Sequence, residues 1–326
     1  MFAAFLALAG AFVYGSADFL GGLAAKRLRS IVVTAVAALS GLLALTIAFG
    51  VLSIGLPAEA GRWGATDTLW GVLSGLIGIV AIVLLYACLA LGPMSILSPL
   101  AAVVSAIAPM LWGLLVGGES VGALGYVGLG VALVAVVLVG FIPGEKVVRP
   151  SLRGLAMAIG AGIAIGAFVI VIDQTSARSG LTPLIANRAT NSLVAVLVVG
   201  ALILVAARRG RPVASALVAQ GAIIGATPSG HADLEHATVS LPVVVRTEIP
   251  VSAWWLAGAC GVVDASANTL MLIALRGGDL SVVAALTALY PAGTILLAAI
   301  VLRERIAPVQ WVGLVLAIGA GVLLAV

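Results

Sequence analysis

Two aspartates and one arginine stand inside long apolar stretches of this chain, where a charge is costly without a partner or a task. Asp264 lies near the middle of one stretch, with Ser266 beside it and Asn268 four residues on, so Asp264 and Asn268 share a helix face. That pair can bind a cationic or hydrogen-bond-donating ligand, exchange a proton, or make a buried bond between helices. Asp18 follows Tyr14 by four residues in Tyr14-Gly15-Ser16-Ala17-Asp18-Phe19 and shares its face. It either faces a cavity or, lying about two turns from Lys26, only reaches an interface. Another stretch opens with Asn187-Arg188-Ala189-Thr190-Asn191, which puts Asn187 and Asn191 on one face. Arg188 could clamp a carboxylate or phosphate, extend to the polar boundary, or pair with Asp173. Tyr86 and Tyr290 are candidate cavity aromatics, with a packing or interface role as the alternative.

The elements that must position these groups are helices in a bilayer. The chain is 63% hydrophobic and 9% charged, whereas a soluble domain carries roughly 25% charge. Its mean hydropathy is +1.30. About 20 apolar residues cross a bilayer as a helix. Ten such runs are expected, at 2–24, 31–54, 69–91, 94–116, 121–141, 152–174, 183–207, 254–275, 280–302 and 308–326. Continuous rather than alternating apolar character makes them helices, not barrel strands. No basic segment precedes Phe2, and the first run is too long for a signal peptide, so it is expected to be a membrane span. At mid-bilayer an ionised side chain costs about 2.5–3.5 kcal/mol on insertion scales, which singles out Asp264, Asp18 and Arg188. Pro99 and Pro109 in the fourth run and Pro291 in the ninth predict bends there.

The runs fall into two sets of five. Leu111–Gly140 laid over Leu296–Ala325 gives ten identical pairs in thirty, including Glu119 with Glu304 and Val127-Gly128-Leu129 with Val312-Gly313-Leu314. Five is odd, so two like halves must lie in opposite orientations, the inverted-repeat design of membrane carriers. The expected organisation is an all-α membrane protein with a first repeat at 1–142, a linker at 143–153 and a second repeat at 154–326. An inserted loop lies at about 208–253. The equivalents of Asp18 and Asp264 in the other half, near Val169 and Val80, are apolar, so the symmetry breaks at the candidate site, as an asymmetric substrate requires. The fifth and tenth runs carry little polarity and read as scaffold or as a homodimer surface.

Basic residues sit at the ends of runs rather than in a patch with aromatics, so the net charge of +4 does not point to nucleic acid. One set of loops holds Lys26, Arg27, Arg29, Lys146, Arg149, Arg153, Arg208, Arg209, Arg211, Arg303 and Arg305; the other holds little beyond Arg62, Arg178 and Arg276. The rich side should be cytoplasmic, which places both termini outside. Fourteen arginines against two lysines suggest a GC-rich bacterial genome, hence a bacterial cytoplasmic membrane. Within the insertion, Val213–Thr227 is too short to span and reads as an interfacial or re-entrant helix. His231-Ala232-Asp233-Leu234-Glu235-His236 reads as a solvated loop, with a metal or regulatory site as the alternative; its spacing matches no standard metal site. Cys88 and Cys260 read as small core residues. No cofactor is expected.

With these residues in view, the chain resembles the EamA-type transporters of the drug/metabolite transporter superfamily. The resemblance rests on Tyr290-Pro291, Glu304 and Trp311-Val312-Gly313 in the second half, on Glu119 and Tyr126-Val127-Gly128-Leu129 in the first, and on Gly15-Ser16-Ala17-Asp18-Phe19. The first half departs in the short spacing from Pro109 to Glu119. The resemblance implies alternating-access transport of a small metabolite or drug-like molecule, often export, often coupled to protons. Relatives of this type commonly keep their termini in the cytoplasm, the reverse of the charge reading. Two other classes stay open: a small-solute channel or facilitator, which needs polar rings from both halves, and a membrane-embedded enzyme, which needs a constellation of nucleophile and base. The runs contain neither histidine nor clustered acids, so the chain is not expected to be an enzyme.

Overall fold

The structure, a computed structural model, describes residues 1–25, 27–53, 64–91, 94–140, 151–218, 250–303 and 306–325. The helices in chain order are α1 (Phe2–Ala25), α2 (Ser30–Ser53), α3 (Ala65–Leu91), α4 (Met94–Leu115), α5 (Ala123–Gly140), α6 (Leu152–Asp173) and α7 (Thr182–Arg208). They continue with the short α8 (Ala214–Leu217), then α9 (Val251–Gly277), α10 (Leu280–Thr287), α11 (Tyr290–Val301) and α12 (Pro308–Ala325). Among the described residues, eight helical segments are long and apolar enough to cross a membrane, counting Leu280–Val301 as one; Leu100–Leu115 and Pro308–Leu324 are shorter apolar helices. The chain is an all-helical, multi-pass membrane protein.

Starts and breaks follow local chemistry. Pro183 and Pro291 stand in the first turns of α7 and α11, where a missing N–H removes no helix bond. The expected bend in the ninth run is a full break at Ala288-Leu289, which separates α10 from α11. In the fourth run, α4 is one helix from Met94 to Leu115 that contains Pro99 and Pro109. Of the apolar stretch at 213–227, the structure describes only α8, which docks on the α1–α2 turn through the Arg29 N–H donated to Leu217 O at 2.9 Å.

Helix packing repeats a pattern. α1 lies on α9 and α11, while α6 lies on α3 and α4. α2 lies on α9, and α7 on α3; α2 and α7 pack on each other, as do α5 and α12 and as do α4 and α10. Glycines set the close approaches. A Cβ at Gly15 would fall on the backbone of Tyr290 and Gly293, and one at Gly166 would lie 2.8 Å from Ala108 Cβ. Gly261 approaches Ala37 in the same way across α9 and α2.

A continuous apolar core closes one end of the bundle. It joins Ala4, Ala7 and Ala11 of α1, Ile172 of α6, Leu184 of α7, Met271 and Leu275 of α9, and Leu286 of α10. Polar ties hold the same end. Arg276 donates to Gly180 O at 2.7 Å, to Ser179 Oγ at 3.2 Å and to Ser176 O at 3.3 Å. Asp67 Oδ1, at the start of α3, accepts from Ser176 N at 2.7 Å.

Candidate functional site

The charged groups read from the sequence meet above this closed end. Arg188 of α7 forms an ion pair with Asp264 of α9, so the sequence alternative that pairs it with Asp173 is not the one adopted. α7 and α9 are each packed on α2, and the long arginine side chain bridges between them. The side chains of Arg188 and Asp264 are 11% and 27% exposed, so the pair is largely withdrawn from water. Asn268, one turn on from Asp264 and buried, donates from Nδ2 to Asp264 O at 2.8 Å and more weakly to Asp264 Oδ2 at 3.4 Å. This fixes the asparagine on the aspartate's face, as the i, i+4 spacing requires.

A polar ladder continues along α7. Asn187 donates to Ser74 Oγ of α3 at 2.8 Å, and Asn191 donates to Asn187 Oδ1 at 3.2 Å. Asn191 Oδ1 is buried without a partner. Asn187 therefore serves packing between α7 and α3, and Asn191 extends that ladder one turn further along α7.

Asp18 approaches from α1. It shares a face with Ala4, Ala7, Ala11 and Tyr14. The three alanines are buried in the core, Tyr14 is half-buried and Asp18 is exposed, so this face of α1 leaves the core at the level of Asp18. Asp18 lies within electrostatic reach of Asp264 and of Tyr290, and Tyr14 within reach of Asp18, Asp264 and Arg188. The Tyr14 hydroxyl donates to Met271 Sδ at 3.7 Å, which anchors the ring on α9. Tyr290 sits at the start of α11, directly after the break. Thr294 holds that start against α1 by donating to Gly15 O at 3.1 Å. Cys260, one turn before Asp264, is within reach of both aspartates, and the Gly21 backbone meets its sulfur.

The structure thus brings together Asp264, Asn268, Arg188, Asp18, Tyr14 and Tyr290, with Asn191 beside them. The Tyr86 and Cys88 side chains, Glu304 and the His231–His236 segment lie outside what the structure describes. Among the described residues, no group of three His, Cys, Asp or Glu is placed to hold a metal ion.

Two roles at the closed end were not legible from the sequence. Arg276 was only a loop charge there, yet it clasps the turn at 176–180. Glu119 was only a repeated residue, yet it accepts from Leu280 N at 2.6 Å and Ser281 N at 3.0 Å, so it caps α10 from the α4–α5 turn. Asp279 stands at the N-cap position of α10 but makes no side-chain cap. Burial, and then the neighbouring Glu119, raise its carboxyl above the ordinary range. The recurrence of this glutamate in both halves was the signal that could have marked the cap.

Comparisons with known proteins bear on this arrangement. Residues 235–326 match the model of the EamA-like transporter family, which carries the resemblance read from Tyr290-Pro291 and Trp311-Val312-Gly313. A comparison with curated proteins returned no match. A solved crystal structure, described only as that of a protein, superposes with a TM-score of 0.64 at 15% identity, covering 98% of this chain and 98% of that one. That likeness speaks to fold alone.

Proposed function

We propose that this chain, EamA-like over its C-terminal part, is an alternating-access carrier. It moves a small metabolite or drug-like molecule across a bacterial cytoplasmic membrane, as a proton-coupled exporter. Its two halves, 1–142 and 154–326, are inverted repeats joined by the linker at 143–153, with an insertion at about 208–253. The packing pattern supports the repeats. Exchanging α1–α5 for α6, α7, α9, α10 with α11, and α12 turns each principal helix pair into another observed pair or into itself.

The observation that carries the proposal is a cluster of ionisable groups, the Arg188–Asp264 pair and the exposed Asp18, beside the core joining Ala7, Ile172, Met271 and Leu286. A channel needs a continuous path, and that core favours a carrier resting with one side shut. The open side carries Arg27, Arg29, Arg153, Arg208, Arg209 and Arg303, the end that charge bias puts in the cytoplasm. A carrier loading from the cytoplasm is an exporter. Asp264 and Asp18 are the groups that would take up and release the coupling proton, and Arg188 would be freed as Asp264 is protonated.

The test is efflux from proteoliposomes loaded with amino acids, nucleosides, sugars and cationic drugs, with and without an imposed proton gradient. Gradient-dependent loss of one class supports coupled export. Gradient-independent loss that does not saturate supports the channel.

A further inference from the structure

We infer that the ligand of this site is an organic cation with an aromatic or apolar body, held by Asp18 between Tyr14 and Tyr290. The inference rests on the carrier reading above and names its substrate class. Charge accounting leads to it. Arg188 and Asp264 neutralise each other in their ion pair, and Asn268 takes up further capacity of the same carboxylate. Asp18 is the remaining ionisable acid of the cluster, and among the described residues it has no hydrogen bond or ion pair. Arg27, nine residues on, lies about 13 Å along the helix axis, too far to compensate it. Among the described residues, no basic side chain forms an ion pair with Asp18.

The surroundings select among cations. Tyr14 and Tyr290 are both half-buried and both within electrostatic reach of Asp18. Their rings come from α1 and from the start of α11, two elements locked together where Gly293 meets Phe12 and Gly15. An aromatic face attracts an ammonium while excluding the hydration shell that a small inorganic cation keeps. Cys260, partly exposed one turn before Asp264, adds a soft, polarisable group beside them. An anion would have to pull Arg188 away from Asp264 and would meet Asp18 as well, so two groups oppose it.

The test is titration calorimetry on the purified full chain in lipid nanodiscs, with three probes of similar size: benzyltrimethylammonium, benzyl alcohol and phenylacetate. A quaternary cation is used because it cannot exchange a proton, which separates charge recognition from proton coupling. The cation should bind about tenfold or more tighter than the alcohol, the scale of one charge-assisted contact. Asp18→Asn should remove that advantage, and Tyr290→Leu should weaken the cation about threefold or more with little effect on the alcohol. Equal binding of cation and alcohol overturns the inference, as does preferred binding of phenylacetate, which would assign the site to Arg188. The wild-type comparison decides even if Asp18→Asn does not fold. Efflux of the same cation is read separately. Binding without movement would contradict the carrier reading and leave the site. Movement of another solute with no cation binding would overturn the site and leave the carrier.

Discussion

The Arg188–Asp264 pair makes an asymmetric prediction. Asp264→Asn strands a guanidinium that is 11% exposed, and a guanidinium cannot shed its proton. Arg188→Gln strands a carboxylate that is 27% exposed, that keeps Asn268 as a donor, and that can take up a proton instead. Two unit charges 4 Å apart attract by about 4 kcal/mol at an effective dielectric of 20. Breaking a buried pair by removing one partner costs about 3–5 kcal/mol. Asp264→Asn should therefore cost about 3–4 kcal/mol, and Arg188→Gln about half of that, because water reaches the aspartate. The double variant should cost less than Asp264→Asn alone, with a coupling of about 2 kcal/mol. The assay is unfolding in mixed micelles with rising dodecyl sulfate, followed by tryptophan fluorescence. Additive single effects, or an arginine variant as damaging as the aspartate variant, would refute this burial argument. The pair makes Asp264→Asn a stability change as well as a functional one, so transport tests need the double variant as a control.

Other perturbations follow from single contacts. Gly15→Ala places a methyl on the Tyr290 and Gly293 backbone, so α1 must move off α11; a loss of about 1–3 kcal/mol, read by thermal unfolding, is expected. Asn187→Ala breaks the 2.8 Å bond to Ser74 and should cost about 0.6–1.7 kcal/mol by the same measurement. Glu119→Gln replaces a charged cap of α10 by a neutral one and should lower stability by about 0.5–1 kcal/mol, less at high salt. Arg276→Ala removes the clasp on residues 176–180, so a cysteine placed at Ala11 should react faster with an impermeant maleimide added from the closed side; an unchanged rate would remove Arg276 from closure.

How much of this was legible follows from range. The class and the placing of most helices were fixed by composition and run length, because a bilayer imposes one requirement on every span. Asp264 with Asn268, and Asp18 with Tyr14, were found because one helix turn decides which side chains share a face. The break before Pro291 was found for the same local reason. At Pro109 α6 presents Gly166 to α4, and α4 runs unbroken through that level. The partner of Arg188 was not legible: Asp173 is nearer in sequence, but the choice of Asp264 depends on how α7 and α9 sit on α2. The clasp by Arg276 and the cap by Glu119 likewise join residues about 100 and 160 positions apart, beyond any periodicity.

The central claim is that Asp18 and Asp264 serve a carrier loaded from the arginine-rich side, and a pH jump on sealed proteoliposomes tests it most directly. Vesicles hold the solute pool inside, and mass spectrometry follows what leaves the wild type, Asp18→Asn, and the Arg188→Gln/Asp264→Asn pair, each first shown to be folded. The account predicts saturable loss of one class of solute that requires the proton gradient and falls at least tenfold in both variants. Undiminished gradient-driven loss from the folded variants would contradict it.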